Sequence, residues 1–241
     1  MKKLNILVAA IAIASLSITN VFAGSVSIGV VASSLNVDGS GSETDTLTAG
    51  GDNVADTSTR THNVDETTVT GSLYTEFTTD GNFPFTVGFE YTPGTANISE
   101  KLSRTDTETS QTGNVLSTSI SSIRTAEASA TNFSTLYAEL GLYGPLYVRA
   151  GLSNMDIDYT TTSTGTNGGS YNDTLSVSGT NLGVGFRGTL DSGLIWKLSY
   201  EVTDYDTINM RSTGNSVAAN SNAINADIDT SAYRLSLGKS F

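Results

Sequence analysis

Cysteine is absent from the 241 residues, which removes disulfide scaffolds, Cys-ligated zinc and thiol catalysis together. Charge is sparse, with Asp, Glu, Lys and Arg making up 15% of the chain, well below the roughly 25% usual for globular proteins. Positive charge is the scarcer sign, at 12 Lys and Arg against 24 Asp and Glu, for a formal net charge of −12. So acidic a chain offers no basic surface to displace counterions from phosphates, and nucleic acid is not expected as a partner. Histidine occurs once, as His62, and proline three times. Beyond residue 23 no apolar run approaches the roughly 18 residues of a transmembrane helix.

The one long apolar run lies at the start. Lys2 and Lys3 precede the stretch Leu4 to Ile18, and Val21-Phe22-Ala23 supplies small residues at the positions that signal peptidase reads. Residues 1–23 are therefore expected to be a cleaved secretory signal and residues 24–241 a single domain. Loss of the two lysines leaves the exported chain more acidic still.

After residue 23 helical periodicity gives way to alternation of period two. Val26, Ile28, Val30 and Ala32 share one face of the first run, and Leu73, Thr75 and Phe77 one face of the second. Six further runs follow, around residues 85–91, 136–142, 146–152, 182–186, 194–202 and 233–241. The second and third, fourth and fifth, and sixth and seventh are separated by short turn signals such as Asp80-Gly81-Asn82, Gly144-Pro145 and Asp191-Ser192-Gly193. The other connections, at roughly 38–66, 93–130, 160–173 and 206–227, are long and polar. Short turns at one end and long loops at the other predict an all-β, closed antiparallel up-and-down transmembrane β-barrel of eight strands. Ala96 to Ser99 and Ser117 to Ile123 could extend the neighbouring strands beyond the bilayer, or form a hairpin in the wall that raises the count to ten.

A water-soluble β-sandwich is the competing architecture, and the face opposite the apolar one separates the two. That face carries Glu76, Glu90, Glu139 and Glu201 with Arg149, Arg187, Lys197 and Arg234, four acids against four bases in an otherwise acidic chain. A sandwich would expose these charges to water with no need for balance, whereas an enclosed interior makes an unpaired charge expensive. Gly88, Gly141, Gly151, Gly183, Gly185 and Gly238 share this face and leave room for Tyr74, Tyr137 and Tyr147 opposite. Two aromatic belts are expected, with Phe83, Phe85, Tyr143, Trp196 and Phe241 near the short turns and Tyr91, Phe133, Tyr159 and Tyr205 near the long loops.

With its small-residue cleavage site ahead of the first strand, its loop asymmetry and its end Tyr233-Arg-Leu-Ser-Leu-Gly-Lys-Ser-Phe241, the chain resembles small Gram-negative outer-membrane β-barrels of the OmpA/OmpX and opacity-protein-like type. In that group a terminal Phe preceded by alternate apolar residues is similar to the signal read by the outer-membrane assembly machinery. The resemblance assigns that role to Tyr233, Leu235, Leu237 and Phe241, and Lys239 departs from the pattern where a hydrophobe is common. It implies passage through the periplasm to the outer membrane, contact with its lipid, and a monomer. It carries architecture and no motif for one activity.

An eight-stranded barrel has a lumen that side chains fill, so the charge network is expected to be structural, or else the wall of a narrow conduit. No catalytic site is expected. His62 lies among Thr, Asp and Asn with no nucleophile motif beside it. The carboxylates of residues 38–66 lack the spacing of an EF-hand, so no metal site and no cofactor are assigned, although a loop of that kind could hold divalent cations weakly. The expected function is envelope structure and surface interaction through long acidic loops that face an extracellular ligand or phage, with a porin-like channel for small solutes or ions as the alternative.

Overall fold

The computed structural model describes residues 24–47, 56–97, 102–112, 115–163, 174–211 and 221–241. The expected signal segment 1–23 lies outside the described residues. Ten strands run in chain order as β1 (Gly24–Leu47), β2 (Asp56–Thr79), β3 (Phe85–Asn97), β4 (Leu102–Thr112), β5 (Val115–Gly141), β6 (Leu146–Ser163), β7 (Thr174–Thr189), β8 (Leu194–Tyr205), β9 (Ile208–Arg211) and β10 (Ser221–Ser240). Eight of them close a ring of antiparallel neighbours in the order β1-β2-β3-β5-β6-β7-β8-β10, and β10 returns to β1. β4 pairs only with β5 and β9 only with β10, so both stand outside the ring. The count of eight therefore holds, and the segment that could have made ten is a hairpin laid along an extended β5.

Closure runs from Ser27 opposite Ser240 to Thr46 opposite Ser221, and the Phe241 amide donates to the Val26 carbonyl at 2.9 Å. The short turns, Gly24 and Phe241 gather at one end of the ring. Each turn carries one glycine at positive φ, Gly81 at 127°, Gly144 at 59° and Gly193 at 79°, a conformation that a side chain would strain.

Side-chain direction follows the alternation. Ile28, Val30, Leu73, Val148, Leu152, Leu182, Leu198 and Leu235 are exposed on the outside of the ring, while Ser27, Glu76, Tyr147 and Lys197 on the opposite face are buried. On β8 the apolar outer row runs from Leu194 to Val202, which at about 3.3 Å per residue and a tilt of about 40° makes a band roughly 20 Å tall, near the hydrocarbon zone of an outer-membrane barrel. Exposed apolar surface of that extent is unstable in water and stable in lipid.

Most of the residues read as long loops are strands that continue past this band. Along β6 the outer row changes from Leu146, Val148, Ala150 and Leu152 to Asn154, Asp156 and Asp158, while the inner row changes from Tyr147, Arg149 and Ser153 to Met155 and Ile157. The strand goes on and its amphipathicity inverts. The same switch falls after Ala32 on β1 and between Tyr233 and Ser231 on β10. β-Bulges mark this level on β3 and β5, with Gly94 at φ 101° and Asn132 at φ 54°, and each keeps the inner side chains pointing inward.

Above the band the ring opens into two leaves. Pairing of β2 with β3 ends at Leu73 opposite Tyr91, and pairing of β7 with β8 ends at Gly179 opposite Tyr205. One leaf is β2-β1-β10-β9 and the other joins β3 and β4 through β5 and β6 to β7. Val37, Ile208 and Ile228 from the first leaf and Ala130, Met155, Ile157 and Val177 from the second meet in one buried cluster, closed below by Tyr205 of β8. The sandwich excluded for the whole chain thus exists as a cap on the barrel.

Candidate functional site

The lumen of the membrane-spanning part is the candidate site, and the pleat builds it. Alternate residues of the eight ring strands point inward, and only long polar side chains reach across a ring of this size. Glycines make the space for them. An added Cβ at Gly88 would lie 2.3 Å from the Tyr137 ring, at Gly185 2.7 Å from the Tyr147 hydroxyl, and at Gly238 2.2 Å from the Tyr74 hydroxyl.

The eight charges form two linked clusters. Nearer the short turns, the Lys197 ammonium donates to Glu76 at 2.5 Å and to Glu139 at 2.8 Å, and Arg187 lies 3.9 Å from both carboxylates. Tyr137 also donates to Glu76, at 3.0 Å. Nearer the cap, Arg149 lies 3.3 Å from Glu90 and 3.3 Å from Glu201, and Arg234 donates to Glu201 at 2.6 Å and to Glu90. Arg149 links the clusters through a 3.9 Å approach to Glu139 and stacks 3.7 Å over the Tyr137 ring. Each base thus faces two or more acids, which is the arrangement that offsets the desolvation of buried charge. Glu139 and Arg149 are direct cross-strand neighbours on β5 and β6, and Lys197 sits opposite Arg187 with acids on its free sides.

Above the charges lies a ring of hydroxyl and amide groups, one or more from every ring strand. Ser72 of β2 and Thr92 of β3 hydrogen-bond at 2.7 Å, Thr135 of β5 and Ser153 of β6 at 2.9 Å, and Asn181 of β7 donates to Thr203 of β8 at 3.0 Å. Ser33 of β1 and Thr230 of β10 complete it. These groups enclose a cavity of about 70 Å³ floored by Glu90, Glu201 and Arg234 and roofed by Leu35, Phe133 and Tyr205. A second cavity, of about 10 Å³, lies among Tyr74, Tyr137, Tyr147 and Lys197, room for one water.

The upper aromatic belt requires correction. Tyr205 is buried in the cap cluster, Phe133 packs against it, and Tyr159 follows Met155 and Ile157 on the inner row of β6. Only Tyr91 of the four stays on the outer row, where it donates to Asn132 at 3.3 Å. The inversion of the strand faces carried the others inward. At the opposite end Phe83, Phe85, Tyr143, Trp196 and Phe241 are exposed, together with Tyr233, Leu235 and Leu237 of the terminal segment. The Lys239 ammonium reaches the Ser192 carbonyl in the neighbouring turn, which gives the one charged residue on the outward row of that segment a partner.

His62 is an exposed strand residue of β2 opposite Gly41 and no loop residue. Asp38 and Asp65 are likewise strand residues, and with Asp229 and Asp204 they form an in-register row across β2, β1, β10 and β8 on the outer face above the band. Burial, first, and the Asp204 carboxylate beside it hold the Asp229 carboxyl above its ordinary range. Among the described residues no group of three or more His, Asp or Glu is placed to hold a metal ion. The cap and the hydroxyl ring escaped sequence reading. Their signal was the change of apolar phase from Leu152 to Met155 within one unbroken run.

No protein-family profile and no curated protein sequence matches the chain. Among solved structures, the outer membrane protein OprG of Pseudomonas aeruginosa is similar over 91% of this chain and 97% of its own, at 12% identity and a TM-score of 0.50. The outer membrane protease OmpT of Escherichia coli is similar over 90% and 97%, at 8% identity and a TM-score of 0.44. The attachment invasion locus protein Ail of Yersinia pestis is similar over 88% and 99%, at 9% identity and a TM-score of 0.34. The likeness to OprG is one of fold. Joined to the closed ring and its apolar outer band, it identifies the chain as a β-barrel of the outer-membrane type.

Proposed function

We infer that the protein is a non-conducting barrel of the bacterial outer membrane that acts in envelope structure and in surface contacts made by its extended strands. The observation that supports this is closure of the lumen at two levels. The charge network fills the lower lumen with mutually paired groups, and the apolar cluster of Met155, Ile157, Val177, Ile208 and Ile228 covers the upper end. A hydrated ion would have to break several buried ion pairs and then cross an apolar plug, each step costing several kcal/mol. The reading includes cleavage after Ala23, passage through the periplasm and insertion directed by the segment ending in Phe241. It includes no catalysis, as His62 is an exposed residue of β2 opposite Gly41 with no nucleophile motif beside it in the sequence.

The surface role follows from what the extensions present. Asp38, Asp65, Asp204 and Asp229 face outward just above the lipid band and give this side of the barrel an acidic face that a cationic partner would meet first. Planar-bilayer recording of the refolded full chain tests the reading. Silence is the expected result, and reproducible unitary steps would replace it with the narrow channel.

A further inference from the structure

We propose that the hydroxyl-ringed cavity is a binding site for a small neutral polyol, of the size of glycerol, entered from the side through the gap between β2 and β3.

Size, charge and lining each narrow the ligand. At about 70 Å³ the cavity holds about five waters, or the heavy atoms of a three-carbon polyol in their place. Its floor is already neutral, because Glu90 and Glu201 are matched by Arg149 and Arg234. A cation would have to compete with two guanidinium groups and an anion with two carboxylates. Hydroxyl groups, which both donate and accept, line the wall, and Leu35, Phe133 and Tyr205 give the roof an apolar surface. Such a site suits a molecule with hydroxyls on its edge and C–H groups on its face.

The route is set by the pairing. The apolar cluster of the cap lies above the cavity and the paired charges lie below it. On the side, the β2–β3 ladder stops at Leu73 opposite Tyr91, one position short of Ser72 and Thr92. There the wall is held by the 2.7 Å hydrogen bond between their hydroxyls, a contact much cheaper to open than a ladder of backbone bonds. Thr70, further up β2, also lines the cavity.

The test uses the full chain refolded in lipid nanodiscs, isotopically labelled and titrated with glycerol while amide and methyl resonances are followed. The expected result is saturable shifts confined to the hydroxyl ring and roof, among them Ser72, Thr135, Thr203 and Phe133. Because the chain has no cysteine, the pair Ser72→Cys and Thr92→Cys can be oxidised without competition to lock the gap. Locking should abolish the saturable shifts and reduction should restore them, a reversal that a folding defect would not show. Thr135→Val, which keeps the wall volume, should weaken saturation without locking. Shifts that are linear in glycerol and spread over the barrel, or saturation unaffected by locking, would overturn the site. Saturation by ammonium or formate at lower concentration than by glycerol would overturn the neutral ligand class.

Discussion

Lys197→Met tests whether charge balance in the lumen is a condition of stability. Lys197 is 3% exposed and its ammonium is within 2.8 Å of both Glu76 and Glu139. Removing it leaves two buried carboxylates whose nearest remaining bases are 3.9 Å away, Arg187 from both and Arg149 from Glu139. Breaking a buried ion pair from one side costs about 3–5 kcal/mol, because the partner remains desolvated and uncompensated. With a urea slope of about 2–3 kcal/mol/M, the unfolding midpoint should fall by about 1–2.5 M. Trp196 is the only tryptophan and faces outward in the band, so its fluorescence in lipid vesicles reports barrel unfolding directly. Adding Glu139→Gln to Lys197→Met returns the network to three acids and three bases, and should recover at least half of the loss. A single variant that costs less than about 1 kcal/mol, or a double variant no more stable than the single, would refute the argument that neutrality is what the network supplies.

Three further outcomes follow from the packing and the surface. Gly88→Ala should destabilise by about 1–3 kcal/mol, since its Cβ would lie 2.3 Å from the Tyr137 ring. Combined with Tyr137→Ala it should cost less than the sum of the two single changes in the same urea assay. Met155→Ala should cost about 2–5 kcal/mol of cap stability. Amide exchange of residues 126–131 and 155–158 should speed up while the unfolding midpoint at Trp196 barely moves, and a shift confined to Trp196 would contradict an independent cap. Asp229→Asn should raise stability at neutral pH and low salt by relieving repulsion from Asp204 and Asp38. The native state holds the Asp229 proton more firmly than the unfolded chain does, so the wild type gains stability as pH falls through the raised native value. The advantage of the variant should therefore shrink on acidification, and an advantage that grew instead would reverse the assigned sign.

The lower half of the barrel was legible from the chain because lipid imposes a strict rule. Every outward position between Leu194 and Val202 must be tolerable to hydrocarbon, and every charge must then be inward, so period-two reading locates Lys197 and Glu201 on the lumen side without coordinates. The upper half obeys a looser rule. There water is outside and the apolar residues are inside, and the same alternation with shifted phase reads as the end of one strand followed by a loop. Leu152 and Met155 are three residues apart, an odd step that period-two counting treats as a break, although β6 passes through both without a bulge. Thr- and Ser-rich composition strengthened the misreading, since Thr favours strands as much as Ser favours turns. Cavity shape was not legible, because it depends on which rows of eight strands fall at one height, and that follows from the register between strands.

The phase change also explains why closure of the lumen need not conflict with a cavity in its wall. A barrel of eight strands that continued unchanged into water would expose a polar interior at its open end and gain nothing by extending. By inverting at the level of Ser153, Thr203 and Thr230, β1, β6 and β10 give the interior an apolar lid and the exterior a soluble face with the same backbone. At the level of inversion itself the inner side chains are neither charged nor apolar. They are the hydroxyl groups, too short to fill the ring as Tyr137 and Arg149 fill it below. The cavity is the geometric consequence of passing from long polar to apolar side chains through short polar ones. Its one weak wall falls where β2 and β3 part to become edges of different leaves, so the device that caps the barrel from above is also what opens it at the side.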